Sequence, residues 1–213
     1  MVTEIVVHAH PLLRATTLLT EWPRSVGELH LAPGLTSLLA APAPVRSSES
    51  LRAQIRAMLR ASGFKPSGRS KPASEYLLQA VAKGELSAIN APVDLCNAVS
   101  FHSGLPISVV DLDLATPPFH IAPAQPEQNY IFNTSGQVMD LAGLLCLWDA
   151  LGPCANAIKD SQRTKTHSET RRTLSVIWGH QDVAEHLEQT ATWYELLLQQ
   201  SGGSVQRITM NHL

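Results

Sequence analysis

Aromatic residues are scarce in this chain, and neither sign of charge is in excess. Phe, Trp and Tyr make up 5% of the 213 residues, so any core must rest on Leu, Val, Ile and Ala within a hydrophobic share of 44%. Lys and Arg number 16 against 18 for Asp and Glu, a formal net charge of −2, and no acidic or basic tail is present. That balance excludes capture of nucleic acid by bulk electrostatics and leaves only a local basic face for such work.

Cysteine is sparse too. Cys96, Cys146 and Cys154 are odd in number and lack metal-ligand spacing, which predicts buried reduced thiols and no disulfide framework. No run approaches the roughly 18 apolar residues of a membrane span. The opening MVTEIVVHAHPLLR carries an acid at position 4 and no apolar core of signal-peptide length. A soluble, cytoplasmic protein is expected. A glycine-rich phosphate loop, GxSxG, HExxH and CxxC are all missing. Their absence leaves hydrolysis by an oriented water, or no catalysis. His8 and His10 sit two apart without a third ligand nearby, so neither a metal site nor a cofactor is expected.

What the chain does have is clustered strands with irregularly interspersed helices. Residues 4–9 and 14–21 read as strands, β-branched and bounded by Pro11 and Pro23. The proline-containing segment 32–46 reads as a loop around one weak helical turn. It marks the seam between a strand-rich N-terminal extension, 1–45, and a main body, 46–213, the two packing as one unit. Helices are predicted over 49–61, 72–83 (burying Leu77, Leu78 and Val81), from Asn90 or Ala91 to before Gly104, and 183–200. Asp182 and Glu185 suggest a capping box for the last. Strands are predicted at 106–112, 119–122, 129–133, 137–141, 144–148, 173–178 and 204–210. A long polar loop is expected from Asp149 to about Arg172. The pattern is α+β, without a repeating βαβ unit.

The stretch 90–113 organises the rest. It places Asp94, Asn97, Ser100, Ser108 and Asp111 inside an otherwise apolar helix and strand. Polar groups so placed are either hydrogen-bonding hubs or the lining of a pocket. A second cluster, Asp160, Ser161, Arg163 and Thr164, brings a carboxylate, two hydroxyls and a guanidinium within five residues. Arg163 there is either a ligand for phosphate or carboxylate, or one half of an Asp160–Arg163 ion pair. Backbone amides of the 152–164 loop are candidate donors for an oxyanion. Arg52, Arg56 and Arg60 recur every four residues, and Lys65, Arg69 and Lys71 follow. This is either a phosphate-contacting ridge for RNA or a solvated helix face.

Three spaced blocks carry a resemblance to a known family: SGFKPSGRSKPASEYLLQAV, INAPVDLCNAVSFHSGLPISVVDLDL, and GPCANAIKDSQRTKTHSETRRTLSVIW with its DSQRTK core. Over roughly 46–180 the chain resembles the B3/4 domain of the phenylalanyl-tRNA synthetase beta chain, in freestanding form. The resemblance implies a three-layer α+β fold with a β-sandwich-like core. It implies an editing module that hydrolyses the ester of mischarged tRNA, with tRNA, aminoacyl-tRNA or a small aminoacyl ligand as partner. Nothing resembles an aminoacylating ligase. Asn97, Ser108, Asp111, Asp160, Ser161, Arg163 and Thr164 are the expected substrate-binding residues, and Arg52, Arg56, Arg60 and Lys65 the expected RNA-binding ones. Synthetase members carry a histidine where this chain has Ser108, and an acid near Gln162. Freestanding relatives have a GPFGSP-like turn where this chain has GPCANA. The two functions left open are an aminoacyl-tRNA deacylase and a non-catalytic amino-acid or RNA-binding module.

Overall fold

Two nine-residue strands, β2 (Leu13–Glu21) and β9 (Arg172–His180), form an antiparallel ladder that runs from Leu13 opposite His180 to Glu21 opposite Arg172. The computed structural model describes Val2 and residues 4–66 and 70–213. Arg69 lies outside the described residues. All of β9 after Arg172 is buried, as expected of a strand covered on both faces. Beside this pair lie β3 (Ile107–Asp111) and β10 (Ser204–Arg207), giving a four-stranded sheet in the order β10-β2-β9-β3.

A second sheet has the order β11-β1-β4-β7-β8. Its strands are β1 (Glu4–Val7), β4 (His120–Pro123), β7 (Leu145–Asp149), β8 (Gly152–Asn156) and β11 (Thr209–His212). A small hairpin joins β5 (Asn129–Ile131) to β6 (Val138–Asp140). The sheets meet where β3 neighbours β8 and β11 neighbours β2. Trp178, Leu18, Ile5, Ile121 and Leu147 are among the core residues fully shielded from solvent. Helices α2 (Glu49–Arg60), α4 (Ala91–Ser103) and α5 (Ala184–Gln200) cover the four-stranded sheet. Helix layer, first sheet and second sheet make the three-layer α+β fold with its sandwich-like core. The first 45 residues supply β1 and β2, one strand to each sheet, and the short α1 (Leu35–Ala40).

Local chemistry explains α4. The Asn90 side chain accepts the Val93 N–H at 3.2 Å, and Pro92 sits in the first turn, where its missing N–H costs nothing. The helix stops at Gly104, whose φ of +78° is open to glycine alone at low cost, since a Cβ there would meet the Ser47 side chain. The chain then enters β3.

Four expectations are corrected. The loop after Asp149 contains β8 and a 3-10 turn, Gln162–Thr164; glycine and proline in GPCAN disguised an edge strand. The segment 204–210 is two strands in different sheets, β10 and β11, divided at Ile208. No capping box forms at Asp182. The chain enters α5 through a 3-10 turn, Gln181–Val183, whose Asp182 N–H is taken by His180 Nδ1 at 3.1 Å. Finally, in α3 (Ala73–Lys83) Leu77, Leu78 and Val81 are only partly buried, and Ser74 is that helix's buried residue.

Candidate functional site

Helical spacing puts Val93, Cys96 and Asn97 on one face of α4, and strand spacing puts Ile107 and Val109 on one face of β3. Between these faces lies a cavity of about 460 Å3. Ile89, Phe132, Lys159, Asp160, Lys165 and Thr166 also line it. Cys96, Ile107 and Val109 are buried and make the floor; Ile89 is well exposed and stands at the rim. Two lysines, a carboxylate and the Asn97 amide thus converge on an apolar hollow, the usual character of a ligand site.

Asp160 is held by the main chain. One carboxylate oxygen accepts the Val109 N–H and the other the Asn156 N–H, each at 3.3 Å. Burial pushes its pKa up to about 6, against the lowering pull of the Ser108 hydroxyl, those two N–H groups and the Lys165 charge. Lys165 moves the other way. Burial lowers its pKa, Asp160 partly restores it, and Nζ donates to the Phe132 carbonyl at 2.6 Å. Lys159 Nζ lies 4.1 Å from the Phe132 ring centre and 5.6 Å from that of Tyr76. The Asn97 carboxamide lines the cavity, and among the described residues no hydrogen bond occupies it.

Asn156 shapes the loop that carries Asp160. Its Oδ1 accepts the N–H groups of Ile158 and Lys159 at 2.8 and 3.0 Å, and its Nδ2 donates to Tyr130 Oη. The N–H of Ser161 goes to Cys154, that of Arg163 to the Ser161 hydroxyl, and that of Thr164 to the Ser161 carbonyl. These loop amides are therefore committed internally, and none of them is open to an oxyanion. Asn97, Lys159 and Lys165 are side-chain donors that line the cavity together with Asp160.

Of the residues expected to bind substrate, Asn97 and Asp160 meet at this cavity and the others do not. The Ser108 hydroxyl is buried behind the floor, donating to the Asn156 carbonyl and accepting from Trp178 Nε1, both at 3.0 Å. Asp111 is wholly buried at the far end of β3, accepting from Thr170 Oγ1 and the Asp113 N–H, with His167 Nε2 at 3.3 Å. The other ring nitrogen of His167 accepts the Glu169 N–H, so that imidazole has no free lone pair. Ser161 caps the 3-10 turn, and Thr164 Oγ1 donates to the Cys154 carbonyl.

The Asp160–Arg163 ion pair does not form. The 3-10 turn swings Arg163 away from the cavity to Asp149, which it grips through two hydrogen bonds of 2.8 Å. On α2, Arg52 and Arg60 are exposed, as is Lys65, whereas Arg56 is engaged by both carboxylate oxygens of Glu75 at 2.6 and 2.7 Å. His8 and His10 part company: His8 faces His120, and His10 Nδ1 accepts the Leu13 N–H at 2.9 Å. Among the described residues, no group of three or more His, Cys, Asp or Glu could hold a metal ion, and no helix is long and apolar enough to cross a membrane.

Lys159, Lys165 and Phe132 were not singled out from sequence. One signal was present, since the lysines flank Asp160 at −1 and +5, at the edges of the DSQRTK block. Strand alternation was another: with Ser108 turned inward, Ile107 and Val109 had to face the other way.

Comparison with known proteins bears on this arrangement. A family model described as the B3/4 domain matches residues 61–190, which takes in α3, α4, β3 and the whole Asp160 loop. The fold is similar to the crystal structure of an N-terminal fragment of the phenylalanyl-tRNA synthetase beta-subunit from Pyrococcus horikoshii, with a TM-score of 0.52 at 11% identity. That likeness covers 98% of this chain and 52% of the fragment, so the chain spans about half of its structural relative. No curated protein matches the chain in sequence.

Proposed function

This chain belongs to the B3/4 domain family, and from that premise we propose that it is an editing-type domain whose α4–β3 cavity binds the aminoacyl end of a tRNA and promotes hydrolysis of the ester. One observation carries the reading: a carboxylate with a pKa of about 6 stands on the wall of an apolar cavity, beside a half-buried lysine and an unengaged amide. A carboxylate poised near neutrality suits a general base, because it is mostly ionised at pH 7 yet basic enough to accept a proton.

The amino-acid side chain goes to the Cys96, Ile107 and Val109 floor. Asp160 takes a proton from a water whose oxygen bonds to the ester carbonyl carbon. Negative charge then gathers on the carbonyl oxygen, where N–H groups of Asn97 and Lys165 are the nearby donors. Collapse breaks the bond to the ribose oxygen, which leaves with a proton and frees the amino acid. The exposed Arg52, Arg60 and Lys65 supply the face for the RNA backbone.

A binding-only reading has one observation in its favour. Both Asp160 oxygens already accept main-chain N–H groups, which fits a carboxylate fixed to receive an α-ammonium group. The test offers the purified protein a panel of tRNAs carrying matched and mismatched amino acids and follows ester loss above buffer. Acceleration with some members supports hydrolysis. Saturable binding without ester loss leaves the binding module, and neither with any member ends both readings.

A further inference from the structure

Phe132 and Lys159 line the α4–β3 cavity and also a second hollow, of about 440 Å3. Gln137, Val138 and Asp140 of the β5–β6 hairpin are further parts of its lining. Several groups there are open. One Asp140 carboxylate oxygen accepts the Ala142 N–H at 3.0 Å, and among the described residues the other has no partner. The Gln137 side-chain oxygen accepts from Asn133 Nδ2 at 2.8 Å, and among the described residues its Nε2 has no acceptor. Val138 is 61% exposed, a large share for an apolar side chain, and the Phe132 ring is half-buried with Lys159 Nζ 4.1 Å from its centre.

We propose that this second hollow seats the terminal nucleoside of the RNA, its base against Phe132 and Val138. The ribose hydroxyl vicinal to the ester donates to Asp140, and the 5′ phosphate lies toward Lys159. The inference rests on the preceding reading that the neighbouring cavity takes the aminoacyl group. A nucleoside combines what this lining combines. Its base has a flat π-face for an aromatic ring and edge nitrogens that accept from an amide, and its sugar carries hydroxyl donors. The connection between the hollows matters as well. The ester joins ribose directly to the acyl group, so the two halves of the substrate need adjoining seats, and Phe132 and Lys159 belong to both. Charge fixes the orientation, because a phosphate set against Asp140 would meet its own sign, whereas toward Lys159 it meets the opposite one.

Paired probes separate the two seats. For each of alanine, valine, phenylalanine and tyrosine, a non-hydrolysable 3′-aminoamide analogue of adenosine is compared with the methylamide of the same amino acid, which keeps the acyl group and lacks the nucleoside. Both would be titrated against the full chain by calorimetry. The expected result is tighter binding of the adenosine probe by about 10- to 100-fold, the advantage of a stacked base. In Phe132→Leu and in Asp140→Ala that ratio falls several-fold; Asp140 is exposed, so its variant keeps the test open should the Phe132 variant not fold. The 2′-deoxy form of the adenosine probe binds the unaltered protein more weakly than the 2′-hydroxyl form, and in Asp140→Ala the two bind alike. Equal affinities of adenosine probe and methylamide, or a ratio that neither variant changes, overturn the inference while leaving the aminoacyl reading intact. Failure of every probe to bind overturns both.

Discussion

Arg163 holds Asp149 through two parallel hydrogen bonds of 2.8 Å, one from each terminal guanidinium nitrogen to a separate carboxylate oxygen. The carboxylate is fully shielded and also accepts the N–H groups of Thr116 and Leu151, each at 2.9 Å. Burial alone would raise its pKa; Arg163 and those two N–H groups outweigh it, and the net direction is down. Arg163→Ala strands this charge and should cost about 1–3 kcal/mol by urea denaturation, moderated because the guanidinium is one-third exposed. With its native pKa below the unfolded value, Asp149 contributes its stability above about pH 4, and loses it as pH falls through the native value. Ligand affinity should survive the variant, since the pair lies away from the cavity.

Asp160 titrates in the opposite sense. Its native pKa of about 6 exceeds the ordinary carboxylate value, so between about pH 4 and 6 the folded state binds more protons than the unfolded one. This group's contribution therefore improves as pH is lowered through 6 and worsens as pH is raised. Ester hydrolysis should show a rising limb with its midpoint near pH 6. In Asp160→Asn that limb disappears, and one of the Asn156 and Val109 N–H groups faces an amide NH2 in place of an acceptor. Rate–pH profiles of the two proteins check this directly.

Ser108→Ala separates two roles of one hydroxyl. Loss of a buried acceptor for the Trp178 indole should cost about 1–2 kcal/mol in chemical denaturation. The same hydroxyl lowers the Asp160 pKa, so its removal should move the rate midpoint upward from about pH 6, with affinity for an aminoacyl analogue unchanged. A fixed midpoint would show that Ser108 acts on packing alone.

The α2 arginines divide into free and committed. Replacing Arg52 and Arg60 by glutamate should weaken tRNA binding and lower the slope of log affinity against log salt by about one unit for each phosphate that is no longer neutralised. Arg56→Ala should leave that slope nearly unchanged and cost under about 1 kcal/mol of stability, because its partner is Glu75 and the pair is partly exposed. Filter binding across a salt series reads both slopes, and urea denaturation reads the stability.

Helix α4 was legible almost to the residue because its signals are local. Asn90 caps one end, Gly104 stops the other, and both act through backbone geometry written in single residues. Asn97 stood out for a related reason, as a polar group on an apolar face, and it lines the cavity. Strand β8 was not, because glycine and proline speak for a loop and only pairing with β7 overrides them. Lys159 and Lys165 were not, because lysine reads as surface until Phe132, brought in from the β5–β6 hairpin, supplies a ring and a carbonyl. Ser161 and Thr164 stood out because hydroxyls in a polar loop advertise themselves; the Ser161 hydroxyl accepts the Arg163 N–H and the Thr164 hydroxyl donates to the Cys154 carbonyl, partners that sequence spacing does not reveal.

Strands β1 and β11 lie side by side and parallel, Glu4 opposite Thr209 and Val7 opposite His212. On a ribosome, then, the second sheet cannot acquire its outer strand until about 200 further residues have been made, and β2 must wait nearly as long for β9 and β10. Such distant pairings slow folding and leave early hydrophobic strands without partners during synthesis. The growing chain should thus depend on chaperones until late in its synthesis, a burden set by topology and independent of what the cavity binds.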